Sequence, residues 1–402
     1  MHLLKTKQFN KQTISLVVAG TLSLLAATAA NAASPSQTAP ATEQSSPANY
    51  SSEAINFSFA LKGNDQLNFA DQAATSHSDE YYFTVNGQQL SKGVNVHTST
   101  KGALIKISRQ GDRGQPLKNE ALELRAAAQP KVNLATNIIG ENDLKATGIF
   151  NHASAIKIAA NVQPGTFKLR TNQNIDSDNL YVIHVKEKNS ANQLALSAKK
   201  QYFTQGEAFS FDAAMMAKDQ TLAFNTVSAF IRSPSGKQSN IKVNRLTSGV
   251  AQISAQQFAI DADAIEAPVN GLYELHVNAV ANNNGQQIHR SGKIAFALAP
   301  DTAELNKSGK LLNLVNAKNP QTNVALTVKE AGRFEVRATL FGHNAYGQLQ
   351  PVMETHSAQN LTVGEQNITV KFDQKILANS GLVAPFTVRH VKLYDQTRLS
   401  RL

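Results

Sequence analysis

The sequence predicts an all-β protein, with tandem immunoglobulin-like β-sandwich domains behind a cleaved signal peptide. Three observations predict it. First, short apolar–polar alternations recur between Gly, Asn, Asp and Pro, as in Tyr82-Phe83-Thr84-Val85, Ala103-Leu104-Ile105-Lys106-Ile107 and Tyr181-Val182-Ile183-His184-Val185. Runs of that length with turn signals between them belong to antiparallel sandwiches or barrels. Second, stretches with a 3.6-residue period are scarce. Residues 119–129 read as one helical stretch, and residues 141–146 and 260–266 as helical turns. Third, there is an internal repeat. Gly271-Leu272-Tyr273-Glu274-Leu275-His276-Val277 and Gly332-Arg333-Phe334-Glu335-Val336-Arg337-Ala338 share a Gly, an aromatic and strict alternation, and each runs into an Asn-x-x-Gly turn, at Asn282 and Asn344. One strand–turn–strand unit used twice places Tyr273, Leu275, Val277, Phe334, Val336 and Ala338 on core faces.

The elements follow from the N-terminus. Lys5, Lys7 and Lys11 form a basic region, residues 14–27 an apolar stretch, and Ala30-Asn31-Ala32 a small-x-small cleavage site, so residues 1–32 read as a signal peptide cut before Ala33. The apolar run is too short for a comfortable membrane span, and no later segment reaches that length. Residues 33–52, rich in Ala, Ser, Pro, Thr and Gln, read as a flexible linker. Order is expected from Ile55. The length of 402 residues suits two to four domains. They are placed at 53–190 (an N-terminal β domain, with a possible subdivision near Gln129-Pro130), 191–300 and 301–402, the last two of the size of an immunoglobulin-like sandwich. The polar, apolar-poor residues 187–192 mark the first boundary, and Ala299-Pro300-Asp301 the second.

Composition excludes several chemistries. The chain is 42% hydrophobic and has no Cys and no Trp. That removes disulfides, thiolate zinc sites, lipoprotein anchoring and a Cys nucleophile. The net charge of +10 includes three Lys of the leader, so it falls to +7 without them. Basic residues are scattered and often alternate with apolar ones, as in Ile105-Lys106-Ile107, which is the pattern of a half-buried strand and not of a nucleic-acid reader.

Candidate chemistry is sparse. No His-Glu-x-x-His, Gly-x-Ser-x-Gly or phosphate-cradling Gly loop occurs, and no cofactor is predicted. Alternation puts His184 and His276 on solvent faces. His343 and His356 meet across a hairpin in one reading, with Glu354 as a third ligand. Asp176 with Asp178, and Asp261 with Asp263, are the acidic clusters whose oxygens suit Ca²⁺, although neither has calcium-loop spacing. An Asx turn explains the first pair equally well, and the acidic first turn of a helix the second. Tyr81 and Tyr346 are the candidate exposed rings for contacting sugars or partners. Tyr81-Tyr82-Phe83 holds one aromatic too many for strict alternation, and Tyr346 sits in a turn.

The residues Leu90-Ser91-Lys92-Gly93-Val94, Gly102-Ala103-Leu104-Ile105-Lys106-Ile107, Gly381-Leu382-Val383-Ala384-Pro385-Phe386 and Val391-Lys392-Leu393-Tyr394-Asp395-Gln396 resemble an uncharacterised family of exported bacterial proteins. That family is grouped as a domain of unknown function with immunoglobulin-like β-sandwich parts, and the resemblance runs over nearly all of the mature chain. It implies export from a Gram-negative cell, to the periplasm or the medium, and supplies no catalytic or ligand residue. The expected function is a non-catalytic binding or adhesion-type protein, secreted or periplasmic, with an unknown protein or glycan as partner, no nucleic acid and no membrane span. The alternatives are an exported hydrolase or its accessory subunit, with carboxylates in a cleft between the first two domains, and a chaperone- or inhibitor-like partner protein.

Overall fold

Alternation builds the sheets. Along the strand Asn192–Ala198 every second side chain, including Leu194 and Leu196, is shut away from solvent. The computed structural model describes residues 53–402 except 64, 66, 68–72, 112–115, 147–151, 219, 246–248, 256–270, 307–311 and 315–318. The expected leader, linker and helical turn at 260–266 lie outside the described residues. Among the described residues no helix is long and apolar enough to cross a membrane.

The fold is all-β, with paired sheets around three hydrophobic clusters. The chain starts with β1 (Ile55–Ala60), β2 (Ala74–Ser78) and β3 (Glu80–Asn86), then α1 (Gly87–Lys92) and β4 (Val94–His97). Asn86 caps α1. Its Oδ1 accepts from the Gln89 N–H at 2.8 Å while Gln89 Oε1 accepts from the Asn86 N–H, so two helix-end donors are satisfied reciprocally. In the first sandwich, one sheet runs β3, Leu180–Lys186, Leu104–Arg109, Ala153–Lys157, Ile138–Ile139, and the other runs β4, Thr166–Thr171, Leu122–Ala126. Ile105, Ile107, Leu124, Phe167 and Ile183 fill the space between them. The cluster includes residues from both sides of Gln129-Pro130, so no subdivision falls there.

The second sandwich pairs the sheet Val243–Arg245, Val250–Ala255, Phe209–Ala217, Asn192–Ala198, β2 with the sheet Tyr202–Thr204, Gln286–Ala299, Tyr273–Asn283, Phe224–Arg232, Gln238–Ile241. The third pairs β1, Leu349–Leu361, Gly332–His343, Val383–Asp395, Leu312–Leu314 with Ala303–Leu305, Gln321–Val328, Gly364–Lys371. Its core holds Phe334 and Val336 at 0% exposure. Burying a ring such as Phe334 contributes on the order of 2–3 kcal/mol.

The repeated unit forms two hairpins, each occupying the second and third places of a five-strand path. Tyr273, Leu275 and Val277 in one, and Phe334, Val336 and Ala338 in the other, are buried as the alternation requires. The turns differ. Asn283 pairs with Gln286 across Asn284-Gly285, both at positive φ (51° and 82°), the two-residue geometry that matches strand twist. His343 pairs with Leu349 across five residues, where Asn344 Oδ1 accepts from the N–H groups of Tyr346 and Gln348.

Two sequence expectations are corrected. Residues 119–129 are not a helix. Asn119–Ala121 is a single 3₁₀ turn, and Leu122–Ala126 is a strand whose Leu122 and Leu124 are buried against Thr166–Thr171. Tertiary pairing overrides the helix propensity of Leu, Glu, Arg and Ala. The region from residue 53 to β3 does not join the first sandwich. β1 pairs with Leu349–Leu361, Ile55 opposite Ala358, and β2 pairs with Asn192–Ala198. Alternation identifies a strand but not the sheet that receives it.

Candidate functional site

The chain leaves the first sandwich at Lys186 and enters the second at Asn192, and between them Glu187 and Ser190 are buried while Lys188 and Asn189 are exposed. Asn189 adopts positive φ (62°), and the Ser190 N–H donates to the Glu187 carbonyl at 2.9 Å. This tight turn carries the Glu187 side chain inward. Glu187 Oε2 accepts from Arg290 Nη2 at 2.6 Å, with the two side chains 0% and 1% exposed. Glu187 also accepts from the Ser99 N–H at 2.6 Å and from the Ser99 hydroxyl. Arg290 donates further to the carbonyls of Asn192 (3.0 Å) and His289 (2.6 Å) and to Ser190 Oγ (3.1 Å). A buried ion pair is tolerated only when its remaining donors and acceptors are met in this way.

Four rings lie beside this network. Tyr81 is 4% exposed, and its hydroxyl accepts from the His97 N–H and donates to the His97 carbonyl, both at 2.8 Å. The His289 ring stands 5.3 Å from Tyr81 and stacks on His97 at 4.5 Å with an 8° interplanar angle; Phe83 lies 6.1 Å from Tyr81. His97 and the two Tyr/Phe rings belong to the first sandwich, and His289 to the second. Burial, then the neighbouring His97 and Arg290, pull His289 down to about 4, and burial also lowers His97, so both imidazoles are neutral at pH 7. Nearby, the Tyr82 hydroxyl donates to His276 Nδ1 at 3.0 Å while His276 Nε2 donates to Glu274 at 2.9 Å. Burial, reinforced by Glu274 and Glu80, pushes Tyr82 up to about 12.

Above the rings the two sandwiches leave an open cleft. It has a wider cavity of about 840 Å³, lined by Asn95, Gln163, Thr166, Asn284, Gln286 and Gln287 among others, and a narrower one of about 560 Å³, with Tyr81, Phe83 and His289 in its wall. Asn95 and His97 border both. The arrangement is a junction tied by a buried ion pair that presents neutral donors and acceptors beside ring faces, which suits it to holding a ligand.

The residues singled out from sequence are scattered. Tyr81 is not an exposed ring, because it faces inward in the hydrophobic cluster of the first sandwich, yet it borders the narrower cavity. His276 is 3% exposed, not solvent-facing, because Tyr82 of the first sandwich meets it and Phe230 stacks on it, and His184 is held by Glu80 at 3.3 Å. Tyr346 is 88% exposed at a hairpin tip in the third sandwich and does not line the cleft. Asp176 and Asp178 form an Asx turn, with the Asp178 N–H donating to Asp176 Oδ1 at 2.9 Å. That turn packs on the start of α1, where the Gln88 N–H donates to the Ser177 carbonyl. Asp261 and Asp263 lie outside the described residues. His356 does meet Glu354, at 3.0 Å, but its other nitrogen bonds Glu335 at 2.7 Å, and His343 bonds the Pro385 carbonyl instead. Among the described residues no group of three His, Cys, Asp or Glu side chains is placed to hold a metal ion.

Sequence reasoning missed His97, His289, Glu187 and Arg290. A signal was present. Glu187 continues the inward set Tyr181, Ile183, Val185, and Arg290 falls between the inward-facing Ile288 and Ile294. A charge at an inward parity position announces a buried partner.

Comparison with known proteins fixes the family. Residues 46–187 match the N-terminal domain, and residues 302–402 the C-terminal domain, of a domain of unknown function, DUF4785. The chain belongs to the DUF4785 family. A crystal structure of a DUF4785 family protein from Legionella pneumophila is similar over 91% of this chain and 95% of that one, with 19% identity and a TM-score of 0.67, a likeness of fold. Salmonella alpha-2-macroglobulin reacted with methylamine aligns at 12% identity and TM-score 0.23, over 85% of this chain and 24% of its own. The adhesin domain of Epf from Streptococcus pyogenes aligns at 11% and 0.16, over 52% and 71%. Neither of these two carries an argument about this DUF4785 chain. No curated protein matches it.

Proposed function

We propose that this DUF4785 protein is an exported, non-catalytic binding protein, and that the cleft between its first two sandwiches holds the ligand. Export is supported by the basic, apolar and small-x-small order of residues 1–32 and by the absence of Cys. The observation that carries the binding reading is the cleft itself. Neutral side chains line its wider cavity, and its rigidity comes from the buried Glu187–Arg290 network that joins the two domains behind it. Preorganisation of that kind lowers the ordering cost of binding. Glu187, the buried carboxylate behind the cleft, is fully engaged by Arg290 and Ser99, so it is a structural group and not a free acid or base.

The test is retention. The immobilised protein is incubated with the bacterium's own envelope fraction and with host cell-surface extract at 150 mM and 500 mM salt. Retained material is compared between the wild type and a Gln163→Ala, Gln287→Ala variant, whose two positions are exposed. Salt-resistant retention that the variant loses supports the reading. Retention that is salt-sensitive, or equal in the two proteins, overturns it.

A further inference from the structure

Resting on the binding reading above, we propose that the cleft takes an uncharged oligosaccharide. Four observations converge on it. The wider cavity is lined by the amides of Asn95, Gln163, Asn284, Gln286 and Gln287 and the Thr166 hydroxyl, with no Lys, Arg, Asp or Glu, in a chain of net charge +10. Each amide donates and accepts side by side, and so does each pair of vicinal sugar hydroxyls. A cavity without a charged group offers nothing to offset the desolvation of an acidic sugar, and Arg290 in the wall of the narrower cavity is already paired with Glu187, so the groove selects against one.

The narrower cavity supplies the other half of sugar recognition. Its wall carries Phe83, Tyr81, His97 and His289, rings that run continuously from one sandwich to the other. The C–H face of a pyranose lies on such rings while its hydroxyl edge reaches polar groups. His97 and His289 are neutral at pH 7. Because Asn95 and His97 border both cavities, the two form one groove longer than a single sugar ring.

The groove does not suit an extended peptide. Strand addition needs an open sheet edge. β4 is the edge strand that faces the cleft, and there the Tyr81 hydroxyl engages both backbone groups of His97 while Gln286 Nε2 donates to the Thr98 carbonyl at 2.8 Å. Side chains therefore read the ligand.

Calorimetric titration of the purified chain tests this. The probes are neutral hexasaccharides of α-1,4-glucose, β-1,4-glucose, β-1,4-xylose and N-acetylglucosamine, a hexagalacturonate, and an end-blocked Gly-Ser hexapeptide. At least one neutral sugar is expected to bind with a Kd below about 1 mM (about −4 kcal/mol). Its affinity should not change from 50 to 500 mM NaCl. It should weaken about ten-fold or more in Gln163→Ala and Gln287→Ala, and not in Tyr346→Ala. Silence with all four neutral sugars, binding of hexagalacturonate or of the peptide alone, or indifference to the cleft variants overturns the saccharide assignment. Envelope retention separates the two failures. If retention still depends on Gln163 and Gln287, only the sugar is wrong; if it does not, the cleft is wrong as well.

Discussion

Glu187 and Arg290 are the pair on which the junction of the first two sandwiches turns. Glu187→Gln or Arg290→Met leaves one charge buried without its counterpart, and each is expected to cost about 3–5 kcal/mol in urea denaturation. Replacing both by apolar residues of similar volume should cost less than either single change. Equal costs for the double and single variants would show that packing, not charge, holds this place. Acid acts on other residues, His289 and Glu123 among them. His289 titrates at about 4 when folded against 6.5 when free, so between those values the unfolded chain binds the extra proton and stability falls as the pH drops from 6.5 to 4. Glu123 is bonded by Arg170 at 2.9 Å and Arg125 at 2.8 Å, and these two guanidinium groups hold its carboxyl at about 2 against 4.5. Its contribution is present above 4.5 and is lost as the pH falls towards 2. Urea midpoints measured from pH 7.5 to 2.5 should therefore decline in two steps. His289→Gln should shrink the upper step and Glu123→Gln the lower, to which Glu80, held at about 2 by hydrogen bonds from His184 and Lys186, also contributes; a wild-type profile in either variant refutes that assignment.

At the scale of elements, the loop after Thr166–Thr171 and the start of α1 fit each other with no room to spare. A Cβ on Gly87 would stand 2.0 Å from the Asp176 carbonyl oxygen, so Gly87→Ala must shift backbone and is expected to cost about 1–3 kcal/mol. An unchanged thermal midpoint would mean that the turn yields freely. The elements were also the most legible part of the sequence. Period-2 runs found the strands, and the two Gly–aromatic repeats found the matching hairpins with the correct faces inward. Residues 119–129 misled because Leu122–Ala126 is made of good helix formers and is a strand only through its partner Thr166–Thr171. The cleft was less legible. It forms where β3 and β4 meet the hairpin at Asn284, and the residues that line it, mostly Asn and Gln, carry no spacing signal. His276 misled because alternation separates two faces of a strand, but not a face in water from one covered by another domain.

At the scale of the whole molecule, the chain visits its second and third sandwiches twice. β1 belongs to the third, β2 to the second and β3 to the first, after which the chain returns through the same three in the opposite order. Residues 187–192, which look like a linker, are part of that interlocked structure. Trypsin is therefore expected not to cut after Lys188, although its side chain is exposed, until the first two sandwiches separate. Arg290→Met should bring that cleavage forward; a cut at Lys188 in the native wild type at the rate of an open loop would refute the coupling.

The course of β1 also decides how the protein would carry tension. Arg333 Nη1 donates to the Glu53 carbonyl at 3.0 Å, while its Nε donates to Gln396 at 2.9 Å, so one side chain joins the beginning of the described chain to its last strands. β1 and Val383–Asp395 lie in the same sheet, separated by two strands. A pull between Glu53 and Leu402 runs across that one sheet and bypasses the first two sandwiches. They stay slack, with their cleft undistorted, until β1 peels away from Leu349–Leu361.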